Sequence, residues 1–243
     1  MTIYAVGDIH GHLEKLLEAL SRIEADGGPN ARIVFLGDYV DRGPDSRGVI
    51  DVLARGQAAG REWVFLKGNH DRLFERFIDP DGPFFDPHLM VGQHWFAPAL
   101  GGIETAASYG VPVPDRIRQT ELAANLRAAV PAHHAAFLRG LVNSHHEAGT
   151  FFAHAGIRPG IPLDRQAEQD LLWIRQEFHD DPRDHGALIV HGHTPIETAT
   201  HYGNRVNLDS GAAFGRHLTA AAFEDGKVWE LGAQGRHPLN PTD

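Results

Sequence analysis

The stretch RIVFLGDYVDRG, residues 32–43, decides the fold. Its apolar run over 32–36 has strand character and breaks at Gly37-Asp38, and a helical pattern is expected near 46–59. The same rhythm lies upstream, where IYAV at 3–6 ends at Gly7-Asp8 and residues 12–25 carry Leu13, Leu16, Leu17, Leu20 and Ile23 on one helical face. Downstream, residues 63–66 run into Gly68-Asn69 and then a helix expected over 72–78. Three successive β-loop-α units imply an α/β core. In each unit the polar residues fall just past the carboxyl end of a strand, where open α/β sheets collect their ligands.

Beyond residue 78 the texture changes. Proline and glycine clusters (DPDGPFFDP, GVPVPD) flank helical stretches expected at 119–130 and 132–141, so residues 79–149 read as a mainly helical cap insertion in a single domain spanning 1–243. Short strand-like runs follow at 149–153, 187–190, 205–208, 218–223 and 227–231, while the tail after Gly232 is expected to be loosely held.

Composition narrows the chemistry. The chain has 243 residues, 42% hydrophobic and 22% charged, ordinary for a globular protein. No run approaches the roughly 18 apolar residues of a membrane span. The amino terminus lacks the layout of a signal peptide, so a cytoplasmic protein is expected. A formal net charge of −10 argues against broad nucleic-acid binding, which draws on Lys and Arg. The absence of cysteine removes disulfides and thiolate sites, leaving His, Asp, Glu, Asn and backbone oxygen to hold any metal. Seventeen histidines are available, of which the pairs His133-His134 and His145-His146 lie among polar neighbours and read as surface residues.

Five segments carry the chemistry: GDIHG (7–11), GDYVDRG (37–43), GNHD (68–71), HAG (154–156) and HGHT (191–194). Each sets Asp, Asn or His beside a glycine at the end of an expected strand. Glycine lets the backbone turn sharply and a ligand approach closely, and Asp and His suit hard and borderline divalent cations. One such segment alone would be an ordinary structural turn. All five in this order supply enough ligands for two metals about 3.5–4 Å apart with a bridging carboxylate.

With these motifs the chain resembles the metallophosphoesterase superfamily, within it the phosphoprotein phosphatases and closest their small bacterial and phage members, from residue 1 to about residue 223. The resemblance implies a calcineurin-like two-sheet β-sandwich flanked by helices. It implies that Asp8, His10 and Asp38 hold one metal, with Asp38 bridging to a second held by Asn69, His154 and His193. Manganese is the expected pair, and iron or zinc would suit the same donors. His191 falls outside this set, because the family's ligand is the His directly before Thr194. Pro195 stands where many superfamily relatives carry a further histidine, which favours the phosphoprotein phosphatase branch, as does Asp41.

The implied mechanism is in-line attack on phosphorus by a metal-activated hydroxide, with no phosphoenzyme. His70 would protonate the leaving oxygen, Asp41 would orient His70, and Arg42 would grip phosphate with help from Asn69. The DLLWIR segment adds Arg175 as a second phosphate contact and Arg158 as a lesser one, while Asp71 and Asp45 read as helix amino-terminal charges. The expected substrate is a phosphorylated protein of serine or threonine type or a small phosphate ester. The alternative is a dinucleoside polyphosphate or nucleotide, which Phe84, Phe85, Trp95 or Phe96 could stack against. A non-catalytic metal- or phosphate-binding module is a further alternative, disfavoured because every expected ligand position is filled.

Overall fold

The computed structural model describes residues 1–90 and 92–242. It opens with β1 (Ile3–Val6), α1 (Leu13–Gly27), β2 (Arg32–Phe35), α2 (Ser46–Ala58), β3 (Trp63–Phe65) and α3 (Asn69–Ile78). Next come α4 (Gly102–Ser108), α5 (Gln119–Ala129), α6 (Ala132–Arg139), β4 (Ser144–Glu147), β5 (Thr150–Ala153), α7 (Glu168–Trp173) and α8 (Gln176–His179). The chain closes with β6 (Leu188–His191), β7 (Thr200–His201), β8 (Arg205–Asn207), β9 (Ala220–Glu224), β10 (Lys227–Gly232) and β11 (Gly235–Pro238). No helix among the described residues is long and apolar enough to cross a membrane.

Two mixed sheets, ordered β11-β10-β9-β1-β2-β3 and β4-β5-β6-β8-β7, give the two-sheet α/β architecture expected from the sequence. The inner strands β1, β2, β5, β6, β8 and β9 are buried on both faces, and the period of two sorts their side chains. In β1, Ile3 and Ala5 join Val34, Phe152, Val190 and Val206 in the core between the sheets. Tyr4 and Val6 face the other way, into the core beneath the helices with Leu16, Ile23, Val49 and Leu53. Truncating a fully buried aromatic such as Phe152 to alanine should cost about 3–5 kcal/mol.

Register positions the chemistry. β1, β2 and β3 are parallel, with Val6 opposite Phe35 and Phe35 opposite Phe65, so the three following loops leave one edge together. β5, β6 and β8 are also parallel, with Phe152 opposite Val190 and Val190 opposite Val206, so a second set of loops leaves the other sheet the same way.

Several expectations need correction. Helix α3 starts at Asn69, three residues before the expected 72, because the Asp71 carboxylate accepts the Gly68 N–H at 2.9 Å and caps the first turn; Asn69 and His70 are therefore helical. The tail is anchored: β11 pairs with β10, and Arg236 reaches Asp26 and Glu224, each at 2.8 Å. His134 is buried, its Nδ1 2.9 Å from the Tyr109 hydroxyl, whereas His133 is exposed as expected.

Candidate metal centre and active site

The loop after β2 is the scaffold of the site. Its Asp38 carbonyl accepts the N–H groups of Ile9 and His10 at 3.1 and 2.8 Å, tying the loop after β1 to it. Asp71 holds it from below: its Oδ2 accepts the Asp38 N–H at 2.7 Å and its Oδ1 the Tyr39 N–H at 2.9 Å. The second sheet is joined on by His154, whose Nδ1 donates to the Leu36 carbonyl at 2.9 Å, and by the His193 N–H, which donates to Asp8 Oδ2 at 3.0 Å.

This scaffolding holds strained backbone. His10 (φ 46°), Asp38 (52°), Asp41 (75°), Arg42 (66°) and His193 (67°) all lie in the left-handed region; elsewhere among the described residues only Ala148 and Asp225 do so without being glycine. Such conformations cost on the order of 1–3 kcal/mol each and persist only where surroundings over-determine them. Two glycines are required by close approach. A Cβ on Gly68 would overlap the Asp38 carboxylate, and one on Gly192 would overlap that of Asp8.

The six expected metal-site residues are all buried; Asp38 lies in one cluster with His10 and His70 and in another with His154 and His193, while Asp8 is tied to the second through the His193 N–H. His10 Nε2 lies 3.4 Å from Asp38 Oδ2, and His154 Nε2 lies 3.5 Å from Asp38 Oδ1. Asn69 Oδ1 lies 3.0 Å from His154 Nε2 and 2.9 Å from His193 Nδ1. One carboxylate thus faces two separate ligand groups, the geometry a bridging residue needs.

The donor chemistry fits cations. Burial drives His10 and His193 well below the usual imidazole range and lowers His154, so these rings are neutral. His10 and His154 give their one proton through Nδ1 to backbone carbonyls, so each Nε2 is left as an acceptor; that of His154 faces the oxygens of Asn69 and Asp38, and that of His10 faces Asp38 beside the Arg42 guanidinium. Such acceptor-to-acceptor contacts are relieved by a positive ion. Asp8 Oδ1 and His193 Nε2 are buried without a hydrogen-bond partner. Burial, then the charges of Asp209 and Asp38, raise the Asp8 carboxyl well above the usual range, so without a cation the site strains against its own charge. Asp38 shifts the other way: burial acts upward on it, but its polar imidazole surroundings, His154, His70, His10 and His193, act downward, and its carboxyl lies below the usual range.

His70 lies near the same cluster, yet both its nitrogens are engaged. Nδ1 lies 2.7 Å from Asp41 Oδ2, and Nε2 lies 3.1 Å from Arg42 Nη2. Asp41, fully buried, also accepts from Trp95 Nε1 at 2.8 Å and from the Thr105 hydroxyl at 2.7 Å. Arg42 donates through Nη1 to His10 Nε2 at 2.8 Å, so its planar fork spans the ground between the two histidines. Arg175 is exposed and reaches Thr194 Oγ1 at 3.4 Å, on the HGHT loop. Arg158 is committed elsewhere, paired with Asp170 at 2.6 Å and with Glu177. His191 is buried against Arg205, Nε2 to Nη1 3.2 Å, outside the ligand cluster. Asp45 caps α2, accepting the Gly48 N–H at 2.8 Å.

Sequence reasoning missed Asp209. It is buried, and burial together with the Asp38 charge raises its carboxyl to about 6. Its signal was present, since Asp209 follows the 205–208 run as Asp8 and Asp38 follow theirs. Trp95, read from the sequence as a possible stacking surface, and Thr105 both donate hydrogen bonds to Asp41, which the sequence did not foretell.

Comparison with known proteins identifies the family and the fold. The sequence profile described as calcineurin-like phosphoesterase matches residues 1–227. The asymmetrical bis(5'-nucleosyl)-tetraphosphatase PrpE of Bacillus thuringiensis (strain Al Hakam) is 28% identical over 90% of this chain and 89% of its own. A crystal structure provisionally described as a diadenosine tetraphosphatase superposes with a TM-score of 0.61 at 24% identity, over 95% of this chain and 92% of its own. The cold-active protein-tyrosine phosphatase of a psychrophilic Shewanella species gives 0.61 at 16% identity, over 98% and 80%.

Proposed function

The chain belongs to the calcineurin-like phosphoesterase family and is a metal-dependent hydrolase; from that premise we propose that it cleaves phosphate monoesters, with a phosphorylated serine or threonine side chain as the substrate class its proton donor suits best. The observation that carries this reading is the His70–Asp41 pair at 2.7 Å beside the Arg42 fork. An alkoxide is a poor leaving group and needs a proton as it departs, and a histidine held by a buried carboxylate is built to give one.

In this reading Asp8, His10 and Asp38 hold one divalent ion, and Asp38, Asn69, His154 and His193 hold the other, with manganese expected and iron or zinc suited to the same donors. When bound, the ions lower the pKa of water and neutralise phosphate charge. The remaining work belongs to side chains. Arg42 grips two phosphate oxygens through its fork, Arg175 approaches from the turn between α7 and α8, beside Thr194, and Asn69 contributes its amide. These contacts fix phosphorus so that the leaving oxygen meets His70 Nε2. Asp41 keeps the other ring proton on Nδ1 and fixes the orientation of the ring.

A second reading is favoured by the relatives, whose name specifies dinucleoside tetraphosphates. Aromatic surface at the site supports it: Phe214 is 58% exposed beneath Arg42, and Trp173 lies 6.2 Å from His193 between ring centroids. A nucleobase could stack there. Metal-stripped protein, restored with Mn, Zn, Fe or Mg, would be assayed on p-nitrophenyl phosphate, phosphoserine, phosphothreonine and phosphotyrosine peptides, and diadenosine tetraphosphate. Turnover of phosphopeptides is expected. Cleavage of the dinucleotide alone would replace the leading reading with the second.

A further inference from the structure

A second cluster of ligand-type side chains lies away from the site, where α2 meets α6. Asp51 of α2 faces His133 and His134, both in the first turn of α6. One carboxylate oxygen, Asp51 Oδ1, lies 3.5 Å from Nε2 of each histidine. That is long for a hydrogen bond between a ring N–H and a carboxylate, which closes to about 2.7–2.9 Å when charge-assisted. It matches the edge of a tetrahedral shell: ligands about 2.0–2.2 Å from zinc sit about 3.3–3.5 Å from one another.

From this convergence we propose that Asp51, His133 and His134 form a binding site for a zinc-like divalent cation, distinct from the phosphoesterase centre and independent of the reading given to it. The three ligand atoms lie within 4.8 Å of one another. His134 is set up as a ligand. Its Nδ1 lies 2.9 Å from the Tyr109 hydroxyl. A ring that donates Nδ1–H to this oxygen presents its Nε2 lone pair to Asp51, the arrangement by which histidine ligands are fixed in one tautomer. Arg55 takes the other carboxylate oxygen, Oδ2, at 2.8 Å and leaves Oδ1 to the histidines. The Arg55 and Arg47 charges oppose a cation, but Arg55 is 77% exposed and screened by solvent. Two imidazoles and one carboxylate favour zinc or a neighbouring transition metal over magnesium or calcium, which prefer all-oxygen shells. His133 is exposed, so an ion has an open path and a fourth position for water.

The consequence is a clamp. α2 carries Ser46, whose hydroxyl accepts the Asp41 N–H at 3.1 Å, and α6 carries Phe137, packed on Tyr39 at 5.8 Å between ring centroids. An ion joining these helices braces the loop that carries Asp38, Asp41 and Arg42.

The test compares wild-type protein, Asp51→Asn and His133→Ala, each equilibrated at the same free zinc and then assayed for bound zinc by mass spectrometry of the metal. Both variants should hold about one equivalent less than wild type, and zinc should raise their melting temperature less. His133→Ala removes an exposed side chain, so it remains informative if Asp51→Asn folds poorly. Equal zinc content in His133→Ala and wild type would overturn the proposal. Failure of the phosphoesterase ligand assignment would lower zinc in all three proteins alike and so would be told apart.

Discussion

Substitution of Asp41 by asparagine separates proton donation from structural support. Asp41 Oδ2 accepts both His70 Nδ1 and Trp95 Nε1, and Oδ1 accepts the Thr105 hydroxyl. Asparagine can keep this pattern. Its oxygen takes the Oδ2 position and its NH₂ faces Thr105 Oγ1, which can turn to accept, because its own proton can go to Ser46 Oγ 3.1 Å away. The fold should therefore survive. What is lost is the negative charge opposite the His70 ring. Hydrogen bonds to charged groups are worth about 1.5–3 kcal/mol. At about 1.4 kcal/mol per tenfold, losing that support for the imidazolium should lower kcat by roughly 10- to 150-fold.

The assay is kcat over a series of monoesters from p-nitrophenyl to simple alkyl phosphates, with manganese saturating. If His70 protonates the leaving oxygen, the loss should be small for p-nitrophenolate, which departs readily, and should grow as the leaving group becomes more basic. An equal loss across the series would mean that Asp41 only supports structure, and the assignment of His70 as proton donor would fall with it.

Other expectations follow from the same geometry. Asp38→Asn should weaken both divalent ions at once, since Asp38 faces both ligand groups; manganese titration showing one site untouched would contradict a bridging role. Gly192→Ala forces a methyl against the Asp8 carboxylate, an overpacking worth about 1–3 kcal/mol, and should lower the urea midpoint together with manganese affinity. His179 is held down to about 4, first by burial and then by Arg205 and Arg175, so it is neutral in the folded chain when the unfolded chain titrates near 6.5. Its contribution is fully present above the unfolded value. It is lost as pH falls toward 4, because the unfolded state takes up the proton first. Wild type should thus lose stability relative to His179→Gln between pH 6.5 and 4, and parallel urea midpoints would refute this.

The first half of the fold was legible because its signals are local. Each of β1, β2 and β3 is an apolar run cut off by a glycine with an acid or amide behind it, and each helix shows its stripe. The six residues expected as ligands stand out in the sequence for the same reason, since each follows a strand end. What escaped depends on distant partners. The β4 sequence SHHE has no apolar alternation and is a strand only because β5 offers it a backbone edge. β11 is the polar GRHP, fixed by pairing with β10 and by Arg236. His134 looked like a surface residue because its burial comes from Tyr109, twenty-five positions away in the chain. The order of strands across the two sheets was equally beyond reach, because register is set by packing and not by any one segment.

Those long-range contacts also link ion binding to folding. The proposed ligands come from both sheets: Asp8, His10, Asp38 and Asn69 follow β1, β2 and β3, and His154 and His193 follow β5 and β6. The ties between them, His154 to Leu36 and Asp8 to the His193 N–H, cross the interface between the sheets. Neither sheet alone can present the full set. A cation that binds only the joined arrangement stabilises that joining by its own binding free energy. It also offsets the strain of five left-handed residues and the repulsion that raises Asp8. Those residues are held against their preference by separate contacts, among them Asp71 on the Asp38 N–H, the Gly101 carbonyl on the Arg42 N–H and Asp8 on the His193 N–H.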